Sequence, residues 1–165
     1  MSNGAGLTIE WGAARVAAQE AEGGREPSRT EPRRQVRVAT FGTFDLFHIG
    51  HLNLLRRARA LGDYLVVGVS SDELNTGKKG RPPVVRLAER LAIVHAVRFV
   101  DEVFVEESLD FKADYLRRAR ADVLVMGDDW AGRFDHFSSV CRVVYLPRTP
   151  EVSTTNLLTV IRSAA

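Results

Sequence analysis

From residue 36 onward the apolar positions fall into two alternating rhythms. Val36–Phe41 alternates as a half-buried strand does, and Tyr64–Ser70 is the nearly continuous apolar run of a strand buried on both faces. Between them Leu52, Leu54, Leu55, Ala58 and Leu61 predict a helix over Gly50–Leu61, closed by Gly62. Ser71–Pro83 reads as a polar loop, and Leu87, Leu91, Val94 and Val97 then recur at helical spacing. Val103–Val105 predicts a short strand, Phe111–Ala119 a helix, and Val123–Met126 and Arg142–Tyr145 two more strands. Val152–Ile161 combines a polar Ser-Thr-Thr start with Leu157, Leu158 and Ile161, the pattern of a closing helix. Strand and helix in strict alternation predict an α/β domain over 36–165, an open parallel sheet of about five strands with helices on both faces. Ligands of such sheets sit beyond the carboxyl ends of the strands.

Residues 1–35 break this rhythm. Gly4, Gly6, Gly12, Gly23 and Gly24 interrupt them, and Pro27 and Pro32 sit among charges. A short helix near Ala13–Ala21 is compatible with the composition; Glu22–Gln35 reads as a flexible linker with too little apolar surface to offset chain entropy. The segment is therefore expected to be an extension outside the domain.

Composition narrows the partners. Hydrophobic and charged contents of 45% and 27% are those of a globular domain with a real core. A formal charge of +2 is too small to make nucleic acid or an anionic membrane the main partner. No apolar stretch has the roughly 18 residues of a membrane span, and the start lacks a secretory signal pattern, so a cytoplasmic location is expected. Cys141 stands alone before Val143-Val144-Tyr145, which excludes an internal disulfide and a cysteine zinc cluster and makes it a sheet-packing residue.

The chemistry concentrates where the sheet rule places it. Gly42-Thr43-Phe44-Asp45-Leu46-Phe47-His48-Ile49-Gly50-His51 joins the first strand to the first helix. His48 and His51, three residues apart at a helix start, share one face beside free backbone N–H groups, a receptor suited to phosphate. Gly127-Asp128-Asp129-Trp130 follows the fourth strand: the aspartates suit a divalent metal or a sugar hydroxyl, and Trp130 suits stacking on a base. Arg148-Thr149-Pro150-Glu151-Val152-Ser153-Thr154-Thr155 follows the fifth and enters a helix, as a cap or as a phosphate cradle. Lys78, Lys79, Arg81 and Arg86 form a cationic patch placed to close over a triphosphate, and Arg90 and Arg98 are either phosphate clamps or surface ion pairs, such as Arg98 with Asp101. The patterns G-x-G-x-x-G and G-x-x-x-x-G-K-[ST] are both absent, which argues against a dinucleotide oxidoreductase and a P-loop NTPase.

Taken together, these motifs resemble the nucleotidyltransferase superfamily related to class I aminoacyl-tRNA synthetases. Within it, Arg98–Val103, Met126–Trp130 and Arg148–Thr155 resemble the glycerol-3-phosphate branch of the cytidylyltransferases over about Val36 to Ile161. The resemblance implies a Rossmann-like fold and a homodimer. It also implies CMP transfer from CTP to glycerol 3-phosphate with Mg2+, the CDP-glycerol feeding teichoic-acid-type polymers. His48 and His51 would stabilise charge on the α-phosphate, and loss of either should cost about 10²–10³ in rate. Thr43, Phe44, Asp45 and Gly127 would line the nucleotide site with Trp130 near the base; Asp128 would position the nucleotide or the metal. Lys78 or Lys79 would bind phosphate, Arg98 and Arg90 the triphosphate or the acceptor, and Arg148, Thr149, Ser153 and Thr154 the β- and γ-phosphates. Gly77–Arg86 departs from the branch's usual loop and resembles that of the choline- and ethanolamine-phosphate enzymes, so the acceptor is the open point. A different phosphorylated alcohol, an adenylyltransferase, or a silent nucleotide-binding regulator are the alternatives.

Overall fold

The computed structural model describes residues 33–164, so the expected extension lies almost wholly outside the described residues. Five strands, β1 (Arg37–Gly42), β2 (Tyr64–Ser70), β3 (Glu102–Glu106), β4 (Val123–Gly127) and β5 (Arg142–Leu146), form one sheet in the order β3-β2-β1-β4-β5. Every neighbouring pair is parallel. The helices are α1 (Ile49–Arg59), α2 (Asp72–Lys79), α3 (Leu87–His95), α4 (Lys112–Arg118) and α5 (Thr154–Ser163), with 3₁₀ turns at Asp128–Trp130 and Asp135–Ser139.

Strand alternation sorts the core into two layers. Val38, Leu65, Val67, Val69, Val123 and Val125 point to one face, where Leu55 and Ala58 of α1 and Val94 of α3 cover them. Ala39, Phe41, Val66, Leu124 and Met126 point to the other, under Leu116 of α4, Phe134 and Cys141. Cys141 is thus a buried packing residue, and burial raises its thiol pKa. The chain winds outward from β1 to β3, then returns to the opposite side of β1 for β4 and β5. Strand order therefore reverses between β1 and β4, and a crevice opens beyond their carboxyl ends, Gly42 and Gly127, where such sheets bind ligands.

Two local expectations are corrected. Ser71–Pro83 is not all loop: Asp72–Lys79 is α2, with the Ser71 hydroxyl accepting from the Leu74 N–H and Gly80 left-handed at φ 68° as C-cap. N-capping serine, acids in the first turn, lysines in the last and a terminal glycine stabilise a helix without any apolar stripe. Gly62 does not cap α1, which ends at Ala60. A Cβ at residue 62 would lie 2.6 Å from the Val36 carbonyl oxygen, so glycine lets the chain pass against β1.

Candidate active site

The β1–α1 turn is strained and held. Phe44 and Leu46 take positive φ, 53° and 45°, a cost of about 1–3 kcal/mol each that persists only where the surroundings fix it. Asp45 does the fixing: its Oδ1 accepts from the Leu46 and Val85 N–H groups at 3.1 and 2.9 Å and its Oδ2 from the Val84 N–H at 3.0 Å. Buried Phe44 fills the space under the turn, its ring edge-on to His51 at 5.4 Å.

His48 and His51 cap α1 reciprocally. The Gly50 N–H donates to His48 Nδ1 at 3.1 Å, and the His48 N–H donates to His51 Nδ1 at 3.4 Å. The rings stack at 3.8 Å with 18° between planes. An Nδ1 that accepts a backbone N–H leaves the ring proton on Nε2, so both imidazoles present Nε2–H. Burial first, then the Arg148 charge, lowers the His48 pKa. Burial and then His48 lower that of His51 to about 3, against the smaller raising effect of Asp45. The pair is therefore neutral at physiological pH, two donors without charge.

These rings line a pocket of about 280 Å³ in the β1/β4 crevice. Its far wall is the β5–α5 segment. Val152 packs against Gly50, where a Cβ would lie 3.0 Å from Val152 Cγ1 and 2.9 Å from His48 Cε1. The segment is tied down by Arg57 to the Pro147 carbonyl at 2.8 Å, Asn53 to the Thr149 hydroxyl at 3.2 Å, and the Thr154 hydroxyl to the Asp45 carbonyl at 2.9 Å. Ser153 is the N-cap of α5, accepting from the Asn156 N–H at 3.1 Å, so the first amides of α5 open on the pocket. Two helix N-termini, two Nε2–H donors, Lys79 and half-exposed Arg148 thus converge on one cavity. Such an array stabilises negative charge on a phosphoryl group.

A family model described as cytidylyltransferase-like matches residues 39–160. The chain belongs to that family. The glycerol-3-phosphate cytidylyltransferase of Bacillus subtilis (strain 168) is 47% identical over 121 residues, covering 73% of this chain and 93% of that protein. That of Staphylococcus aureus (strain NCTC 8325 / PS 47) is 44% identical over 121 residues, covering 73% and 91%. Among solved structures, the lipopolysaccharide core biosynthesis protein of Thermoplasma volcanium GSS1 superposes with a TM-score of 0.60 at 25% identity, covering 70% of this chain and 98% of that one. The cytidylyltransferase-like segment runs from β1 into α5 and contains every residue of the pocket.

Within this cytidylyltransferase-like domain, Thr43, Phe44, Asp45, His48 and His51 line the pocket from β1–α1, Gly127 and Trp130 from β4, and Arg148, Thr149, Ser153 and Thr154 from β5–α5. Of the two lysines only Lys79 reaches it; Lys78 lies on the side of Glu106 and Lys112. Asp128 does not line the cavity: its Oδ1 accepts from the Arg148 N–H at 3.2 Å, and Asp129, 4.0 Å from the Arg148 guanidinium, faces the pocket instead.

Arg90 and Arg98 are corrected. Arg90 is fully buried, and its nitrogens are spent on the carbonyls of Thr43, Ser70 and Val85 and on Asp72. It braces the turn from behind and does not reach the pocket. Arg98 sits in the turn between α3 and β3, at the amino end of a parallel sheet whose site is at the carboxyl end. Its suggested partner Asp101 instead meets Arg59 at 3.5 Å.

Adjacent aspartates carry no spacing signal for which faces inward, so Asp129 was not separable from Asp128. No sequence pattern singles out Asn53 or Asn75, which position Thr149 and Thr43. Asn75 lies on α2, and the sequence signals of that helix are its caps, Ser71 and Gly80.

Proposed function

We propose that the protein transfers CMP from CTP to sn-glycerol 3-phosphate, releasing pyrophosphate and CDP-glycerol. The observation that carries this reading is the stacked neutral imidazole pair facing the first turn of α5 across one pocket. An oxygen of the acceptor's phosphate monoester, already ionised, attacks the α-phosphorus in line. The new P–O bond forms as the bond to the β-phosphate oxygen breaks, and the electron pair leaves with pyrophosphate. No general base is needed, so catalysis rests on alignment and charge stabilisation. His48 and His51 donate Nε2–H to the α-phosphate oxygens. Arg148, Lys79, the Ser153 hydroxyl and the α5 amides hold the leaving phosphates, and Trp130 lies where a base can stack. Identity of 44–47% to glycerol-3-phosphate cytidylyltransferases across 91–93% of their length supports the nucleotide and the acceptor.

The residues present fit Mg2+. Asp129 offers a hard oxygen at the rim with Asp128 beside it, and no group of three or more metal-ligating side chains gathers among the described residues. That suits an ion held by one or two carboxylates and the nucleotide's own phosphates. When bound, the ion supplies neutralisation of triphosphate charge. The reading also includes a homodimer, a cytoplasmic location and a role for CDP-glycerol in teichoic-acid-type polymers; among the described residues no helix is long and apolar enough to cross a membrane.

The test is pyrophosphate release with CTP or ATP, each crossed with glycerol 3-phosphate, phosphocholine, phosphoethanolamine and a phosphopolyol. Release with CTP and glycerol 3-phosphate supports the reading. Release only with another pair reassigns the substrates, and silence from protein that binds CTP points to a regulator.

A further inference from the structure

The stretch between β4 and β5 brings Trp130 to the pocket wall, and it contains no α-helix. Its regular elements are the two 3₁₀ turns Asp128–Trp130 and Asp135–Ser139, whose hydrogen-bond geometry is poorer than that of an α-helix. Such a segment keeps one shape only where other parts of the chain tie it down. Two ties come from β5 and its continuation, one on each side of Trp130 in the chain. On the amino side, the Arg148 N–H donates to Asp128 Oδ1 at 3.2 Å. On the carboxyl side, the Tyr145 hydroxyl accepts from the Phe134 N–H at 3.0 Å and donates to Asp135 Oδ1 at 2.7 Å.

Tyr145 is not itself on the pocket wall. It pairs with Met126 across β4 and β5, so the sheet carries its hydroxyl. A phenol has one proton to give and lone pairs to accept with, and both capacities are engaged here. The residues so held are those on which Trp130 rests. Phe134 is buried, its ring 5.5 Å from that of Trp130 with 35° between planes and 6.1 Å from that of Phe137. Gly132 is left-handed at φ 81°, and beyond it the Arg133 N–H donates back to the Trp130 carbonyl at 3.0 Å while the guanidinium lies 5.5 Å from the Trp130 ring centroid. One hydroxyl thus pins the backbone of the residues that support the Trp130 ring, and stacking on a base depends on how that ring is placed.

We infer that Tyr145 is a positioning residue for the nucleotide: its hydroxyl, clipped to Phe134 and Asp135, sets the Trp130 ring against which the base of CTP stacks. Because β5 runs on into Arg148, one strand holds the base wall and the phosphate-binding segment in fixed relation. This rests on the proposed use of CTP and adds what fixes the ring that receives its base.

The test is titration calorimetry of the full chain with Mg2+ and no acceptor, with CTP and inorganic triphosphate as separate ligands. Tyr145→Phe keeps the ring in the sheet and removes the oxygen alone. It should weaken CTP binding about fivefold or more, and leave inorganic triphosphate, which has no base to stack, within about twofold. Trp130→Ala should weaken CTP by at least as much, and in that background Tyr145→Phe should change the CTP Kd by less than about twofold, because losses that act through one ring do not add. An unchanged CTP Kd in Tyr145→Phe or in Trp130→Ala overturns the inference while leaving cytidylyl transfer standing. So does an equal loss for both ligands, or a loss that persists without the Trp130 ring. No CTP binding by the unsubstituted protein overturns the transfer reading, and this inference with it.

Discussion

Replacing Gly50 by alanine should separate catalysis from stability. The new Cβ would lie 2.9 Å from His48 Cε1, 3.0 Å from His48 Nδ1 and 3.0 Å from Val152 Cγ1. Carbon contacts settle near 3.5–4.0 Å, so the ring or the β5–α5 segment must give way by about 0.5–1 Å. Neither is free to do so without loss. The His48 ring is held by the Gly50 N–H at 3.1 Å and by its stack on His51 at 3.8 Å. The Val152 segment is held by Asn53 and by Thr154. A displacement of about 1 Å at reacting groups costs about 10²-fold, so kcat/KM should fall about 100-fold, or about 2.7 kcal/mol of transition-state stabilisation. Residue 50 is in the first turn of α1, where alanine gains part of the about 1 kcal/mol helix-propensity advantage it has over glycine in a helix interior. That gain offsets part of the steric cost, and thermal stability should change by no more than about 1 kcal/mol. The assay is pyrophosphate release beside thermal unfolding of the same preparation. Activity within about threefold of the unsubstituted protein, at unchanged Tm, would refute the claim that ring placement carries the rate.

The imidazoles also set the pH behaviour. With the His51 pKa lowered to about 3, that ring should contribute no inflection to kcat/KM between about pH 5 and 8, and the acid limb should report the acceptor's second phosphate ionisation, about 6. His51→Gln should therefore be slower yet keep the limb at the same pH; a lost limb contradicts neutral donors. Because the folded-state pKa of His51 is lowered to about 3 from 6.5, its contribution to stability is fully present above pH 6.5 and is lost as pH falls towards 3. Denaturant midpoints of the same pair, compared at pH 7 and 4.5, check this: the unsubstituted protein should lose more stability. Lys112 and Glu106 form a buried ion pair beneath the Ser70 hydroxyl, with the ammonium 3.5 Å from the Phe41 ring centroid. Lys112→Met should destabilise by about 3–5 kcal/mol, and adding Glu106→Gln should restore much of that, as urea midpoints will show. The Thr40 hydroxyl is buried in β1 without a hydrogen-bond partner. Thr40→Val should raise stability by about 1 kcal/mol and Tm by about 2–4 °C; a lowered Tm would mean that the hydroxyl is satisfied.

Much of this architecture is legible in apolar spacing, because the central parallel strands, buried on both faces, favour near-continuous apolar runs such as those of β2 and β4. β1 alternates in sequence as a half-buried strand does and is instead buried on both faces from Val38 to Phe41, whereas β2 and β4 read directly as such runs. The helix α2 did not, since its apolar content is too low for a stripe and its evidence lies in caps and charge order. At the site, proximity in sequence was readable: Gly42–His51 forms a turn whose histidines face each other as their three-residue spacing suggests. Contacts between distant segments were not. Arg90 and Arg98 look alike as cations near a helix, yet one is a buried brace and the other lies at the wrong end of the sheet. Only the strand order 3-2-1-4-5 decides which ends of the chain meet. The tautomers of His48 and His51 likewise follow from two backbone N–H groups that no pattern of residues displays.

The proposed reaction is the direct passage of CMP from CTP to glycerol 3-phosphate on this imidazole pair. The measurement that bears on it most directly is phosphorus NMR of the protein mixed with Mg2+, CTP and glycerol 3-phosphate. CDP-glycerol and pyrophosphate should grow in equal amounts as CTP disappears, with no CMP formed. CTP consumed without CDP-glycerol, or no CTP consumed by protein that binds it, would contradict the account.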